Sequence, residues 1–150
     1  MYLYTSNRDS WFQGDILENC PFIIIPEEIS ETQQQFTVKK ERLMILSQTC
    51  DIEHREYVAF APVPLVSDLL ASGVSFDHKQ LKDQKYLYWF YLPENKGFSE
   101  AYVDFTRITH LPKSILNKDK RIKSLSDLGR HWLAYKLSVF FGRPFSNYPS

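Results

Sequence analysis

The chain has 150 residues, 15% of them aromatic, and a formal net charge of zero, which suits one domain with its own core and excludes a disordered or low-complexity chain. Its two cysteines, Cys20 and Cys50, sit in no CxxC pair, which excludes a disulfide framework or a cysteine-clustered zinc site. No apolar run approaches the roughly 20 residues of a membrane span, and no long apolar core follows Met1, so a soluble cytoplasmic protein with reduced thiols is expected. Charge is uneven along the chain. Residues 1–60 hold five basic and ten acidic side chains, and 107–150 hold nine and two. Either the two parts attract each other in the fold, or the basic last third faces an anion such as RNA or DNA.

Trp11-Phe12-Gln13-Gly14-Asp15-Ile16-Leu17 reads as a turn feeding a first strand. Pro21-Phe22-Ile23-Ile24-Ile25-Pro26 is an apolar run bracketed by prolines, the mark of an edge strand or a strand start. Residues 27–35 are polar and unpatterned, a surface loop. Phe36 to Lys39 predicts a short strand, Arg42 to Gln48 a central one, and Glu56 to Val63 another. Pro64 to Ser72 predicts a short helix stopped by Gly73, with a second short helix over 76–84. Tyr86 to Leu92 is the strongest strand signal by propensity. Ala101 to Arg107 predicts a strand, and Pro112-Lys113-Ser114 opens a helical turn. Ser124-Leu125-Ser126-Asp127 has the form of a helix start. The helix over about 125–141 stops at Gly142-Arg143-Pro144 and carries a wide apolar face. The domain expectation is a single domain, 1–150, with a helical insertion over about 64–85.

Four large apolar residues, Leu43 to Leu46, run straight into Ser47-Gln48-Thr49-Cys50-Asp51. A buried strand that ends on a hydroxyl, an amide, a thiol and a carboxylate is a rigid support for a site.

The order of several segments resembles the PemK/MazF family of toxin-like small barrels. They are Gly14-Asp15-Ile16, Arg42 to Ser47, Val58-Ala59-Phe60-Ala61-Pro62-Val63 and Val103 to Ser114, together about a third of the chain. The resemblance implies an α+β fold, with a strongly bent antiparallel sheet or an SH3-like barrel, here with a helical insertion and a long C-terminal helix. It also implies a dimeric, metal-independent endoribonuclease that needs no cofactor, with RNA as substrate and an antitoxin as protein partner. Arg42 and Ser47 match the family's catalytic arginine and hydroxyl. Leu43 stands where the family commonly has proline, and Pro64 where it has threonine. The alternative is a barrel without catalysis, serving as an interaction module in a phage or bacterial defence system.

Metal-free RNA cleavage requires a base at the ribose 2′-hydroxyl, an acid for the leaving oxygen and a cation for the phosphorane. Arg42 could be the cation, with Asp51 or His54 moving the proton. Arg107, His110 and Lys113 could bind the nucleic acid. The plainer reading makes Arg42 an ion-pair partner of Glu41 or Glu56, and the others solvated loop residues. Cys50 could be the nucleophile of a cysteine-dependent enzyme, with His54 or His110 lowering its pKa. It reads equally as a buried, inert thiol. Asp15 after Gly14 reads as a turn residue that accepts from backbone amides. The apolar edge of the C-terminal helix, or an exposed strand, predicts a symmetric homodimer.

Overall fold

Side chains alternate across a strand, so Leu43 and Ile45 point to one side of a sheet and Met44 and Leu46 to the other. All four are buried: the strand is covered on both faces. The structure is a computed structural model and describes residues 3–142 except 27, 29 and 33–35. In chain order the elements are β1 (Tyr4–Thr5), β2 (Ile16–Ile24), β3 (Thr37–Ile45), α1 (Thr49–His54), β4 (Tyr57–Pro62), α2 (Val66–Ala71), α3 (His78–Lys82), β5 (Trp89–Leu92), β6 (Ala101–Asp104), β7 (Thr109–Pro112), β8 (Arg121–Leu125) and α4 (Asp127–Gly142).

The architecture is α+β. A six-stranded sheet runs β1-β8-β2-β3-β4-β7 and a separate ribbon pairs β5 with β6, every pairing antiparallel. Among the described residues the large sheet ends at β1 and β7 and closes no barrel. Against β3, β2 carries an irregularity between Leu17 and Cys20, where Asn19 takes a φ of 53°. An extra residue of this kind bends a strand and sharpens its twist.

Several sequence expectations change. The entry strand and the proline-bracketed run are one strand, β2, which passes through Pro21; β8 pairs only with its first residues, Ile16 and Leu17, so the missing N–H at Pro21 breaks no ladder on that side. Phe36–Lys39 and Arg42–Gln48 likewise fuse into β3. Thr49–His54 is a helical turn rather than a loop. Of Tyr86 to Leu92 only Trp89–Leu92 is strand. β7 and β8 were not expected as strands, because their charged and polar residues mask the apolar period. Part of the 27–35 loop, and Arg143-Pro144 of the expected helix stop, lie outside the described residues.

Three apolar clusters hold the layers together. On one face of the sheet Ile16, Met44, Leu46, Ala61 and Val63 pack with Phe90, Val103 and Phe105 and with Leu133 and Leu137 of α4. On the other face Leu17, Leu43, Ile45, Val58 and Phe60 pack with Ile52 of α1 and Leu111 of β7. A smaller cluster of Val66, Leu69, Leu81, Tyr91 and Tyr102 seats α2 and α3 on the ribbon. The aromatic run therefore serves mainly as core, with Tyr88 at its exposed end. Helix α4 starts on Ser126, whose Oγ accepts from the Gly129 N–H (3.1 Å), an N-cap. It lies close on the chain's first residues: a Cβ on Gly129 would stand 2.5 Å from the Leu3 carbonyl oxygen.

The turn before β2 clasps the end of β3. Gly14, at φ +91°, donates its N–H to the Ile45 carbonyl (2.8 Å), and Ile45 donates to the Asp15 carbonyl (2.9 Å). The Asp15 carboxylate accepts from the Phe12 N–H (2.9 Å), as the turn reading requires. It also pairs with Arg121 (3.1 Å), both side chains being buried. Burial pushes the Asp15 carboxyl up, against the pull of Phe12, Ser124 and Arg121. Arg121 lies over the Trp11 ring, 4.7 Å from its centroid.

Candidate functional site

Strand β3 carries Arg42 on the Met44 face, opposite Val63, whose N–H donates to the Arg42 carbonyl (2.9 Å). The half-buried guanidinium lies over Phe98, 5.5 Å from the ring centroid. Its Nη1 is buried without a hydrogen-bond partner. The expected ion pair with Glu41 or Glu56 does not form: Glu41 pairs with Lys39 (3.5 Å), and no carboxylate pairs with Arg42 among the described residues. A half-buried guanidinium without a carboxylate partner is left to donate charge-assisted hydrogen bonds to an anion or a neutral acceptor entering at its open side. It borders an open pocket of about 280 Å³ with Lys40, Glu41, Val63, Pro64 and Asp68.

A second group stands at the end of β3, on α1 and on β7, where His110 pairs with Ala59 and so shares the Met44 face. Ser47 Oγ accepts from the Ala59 N–H (2.8 Å) and extends the β3–β4 ladder. Thr49 Oγ1 accepts from the Gln13 N–H (3.2 Å). Cys50, Asp51 and His54 lie on α1. Cys50 is exposed, and the buried thiol is Cys20, whose pKa burial raises. Cys50 and His54 are one turn apart on one helical face, with no hydrogen bond joining them. Lys113 Nζ donates to the Glu53 carbonyl (2.8 Å) and ties β7's end to α1. His110 is exposed on β7 opposite Ala59.

Strand β3 ends at Ile45 and Ser47 lies in the bend before α1, so the alternation that sets Arg42 on the Met44 face stops short of Ser47. The sequence-derived residues thus divide. Arg42 lies with the pocket; Ser47, Cys50, Asp51, His54, His110 and Lys113 gather around α1 and β7.

Arg107 belongs to neither. Its Nε donates to the Asp104 carboxylate (3.0 Å), and its guanidinium lies 5.7 Å from the Phe22 centroid. The backbone of Tyr102 borders the pocket, its N–H donating to the Pro64 carbonyl (3.1 Å). Burial first, then the charge of Asp104, raises the pKa of Tyr102; Arg107 lowers it, and Asp68 and Glu41 raise it further. Asp104 and Asp68 are functional candidates that sequence reading missed. The only signal in the chain was the alternation over Ala101–Asp104, which reads as core. The described residues hold no cluster of three or more metal-ligating side chains, and none of their helices is long and apolar enough to cross a membrane.

No family model and no curated protein matches the chain. Solved structures do. An endoribonuclease from a mycobacterial species superposes with a TM-score of 0.55 at 12% identity, over 91% of this chain and 96% of that one. A mycobacterial endoribonuclease in complex with its cognate antitoxin superposes with a TM-score of 0.50 at 11% identity, over 91% and 99%. At these identities the likeness is one of fold, the toxin-type fold expected from the order of the sequence segments.

Proposed function

We propose that the chain is a PemK/MazF-like, metal-independent endoribonuclease, a single cytoplasmic domain that acts as the toxin of a toxin–antitoxin pair. The observation that carries this reading is Arg42, a guanidinium with no carboxylate partner among the described residues, at an open pocket, in a fold shared with an endoribonuclease. RNA scission here needs no water. The ribose 2′-oxygen attacks the adjoining phosphorus as a base takes its proton. The 5′-oxygen leaves with a proton from an acid, giving a 2′,3′-cyclic phosphate and a 5′-hydroxyl. Arg42 carries the charge that builds on the phosphorane oxygens. Asp68, which lines the same pocket, takes the 2′ proton and returns it to the 5′-oxygen, acting first as base and then as acid. Arg107, His110 and Lys113 hold flanking phosphates. A symmetric homodimer belongs to the same reading, its surface the exposed Ile23, Ile24, Ile25, Phe36 and Val38 of the β2–β3 hairpin.

Labelled RNA incubated with the protein in EDTA tests this: cleavage is expected, and neither cleavage nor binding at low salt removes the reading. Binding without cleavage selects the non-catalytic interaction module, which the separation of Arg42 at its pocket from Cys50, Asp51 and His54 on α1 favours. A third reading, a cysteine-dependent enzyme, is favoured by the exposure of Cys50 with His54 one turn on. It predicts that Cys50→Ser abolishes an activity and spares stability.

A further inference from the structure

Helix α4 buries Leu133 and Leu137 and leaves Leu128, Trp132, Tyr135 and Val139 exposed. These four recur at steps of four, three and four residues, one straight stripe over three turns. Beside the stripe, two hollows of about 340 and 540 Å³ adjoin at Trp132 and Gln84, between α4 and the segment that joins α3 to β5. Lys136 reaches into this groove. It is buried, and among the described residues its Nζ donates to the Gln84 carbonyl (2.9 Å) and the Gln84 side-chain oxygen (3.3 Å). Gln84 is itself fixed, at φ 60°, with its amide paired to both backbone groups of Tyr91 (2.8 and 2.9 Å).

Lys136 has no carboxylate partner among the described residues, and a buried ammonium favours one strongly. Lys82 and Lys85 add positive charge to the groove, against Asp83 alone. We propose that this groove docks an acidic amphipathic helix of a partner protein, with its apolar face on the α4 stripe and a carboxylate seated on Lys136. The helix-in-groove mode reads anchors at this spacing. Charge argues against a second copy of the chain. The one acid on α4, Asp127, is taken by Arg8 and Arg130, so self-pairing would set lysine, arginine and histidine of one helix against those of the other. The groove shares no residue with the Arg42 pocket, so the inference does not depend on the RNA reading.

The test uses two labelled synthetic helices of about 18 residues, five turns, with the same leucine-rich face. One has glutamates along the edge of that face, the other lysines. Fluorescence anisotropy should show the acidic helix bound about tenfold more tightly. Lys136→Met should erase the preference. Trp132→Glu, at an exposed position, should abolish binding of the acidic helix and leave RNA cleavage unchanged. Equal affinity for both helices, or binding of neither, overturns the proposal. So does a homodimer that Trp132→Glu dissociates, since the face would then belong to a second copy.

Discussion

Two arginines enter the same sheet and meet opposite surroundings. Arg121 on β8 is buried against Asp15, donates to the Ser10 carbonyl (2.8 Å) and to that of Arg8, and lies on Trp11. Arg42 on β3 has an aromatic ring beneath it and an open pocket beside it, but no carboxylate partner among the described residues. A buried charge that is paired and hydrogen-bonded belongs to the fold. One left without a counter-ion at the mouth of a pocket is unexplained by the fold and has its charge available for a ligand.

Removing Arg121 should break the first case. Arg121→Ala strands the Asp15 carboxylate and should cost about 3–5 kcal/mol in urea unfolding; a loss under about 1 kcal/mol would deny the corner its structural part. Lys136 is the intermediate case, a buried cation held by oxygens that bear no formal charge. Burial lowers its pKa to about 8. Below that pH the lysine is charged in both states and its burial opposes folding. Between about pH 8 and 10 the native state sheds a proton that the unfolded chain keeps. Stability should therefore rise across that window, by up to about 3 kcal/mol. Cys20 and Tyr91, whose pKa values burial raises, act the other way. The difference from Lys136→Met in pH-dependent urea titrations isolates the lysine. Ser47→Ala leaves the Ala59 N–H without its acceptor and should cost about 1–2 kcal/mol by thermal unfolding. Arg42→Ala should change stability least, within about 1 kcal/mol in either direction, because it deletes a cation the fold does not satisfy. A larger loss by chemical denaturation would make Arg42 a structural residue like Arg121.

Much of the architecture was legible where local signals agree. The apolar block Leu43–Leu46 marked the central strand and Gly73 the stop after α2, while Ser124-Leu125-Ser126-Asp127 marked the start of α4 too early: Ser124 and Leu125 close β8, and Ser126 caps the helix. The failures share a cause. Strand β8 reads Arg-Ile-Lys-Ser-Leu, a solvated stretch until Asp15 and Asn7, more than a hundred residues away, satisfy Arg121 and Ser124. Pro21 marked an end where β2 continues, because there β2 is paired with β3 alone and β8 has already left its side. At the site, the ten residues Leu43–Ile52 looked like one constellation. The end of β3 at Ile45 and the α1 turn separate Ser47 to Ile52 from Arg42, and no local pattern reveals that α2 brings Asp68 to Arg42's pocket.

The claim that Arg42 is kept unpaired for an RNA phosphate is tested most directly by comparing wild type and Arg42→Ala on one end-labelled RNA in EDTA, with the product ends identified. The account predicts 2′,3′-cyclic phosphate ends from wild type and a rate about 100- to 1,000-fold lower from a variant as stable as wild type. Cleavage at the wild-type rate by Arg42→Ala, or none by wild type, would contradict it.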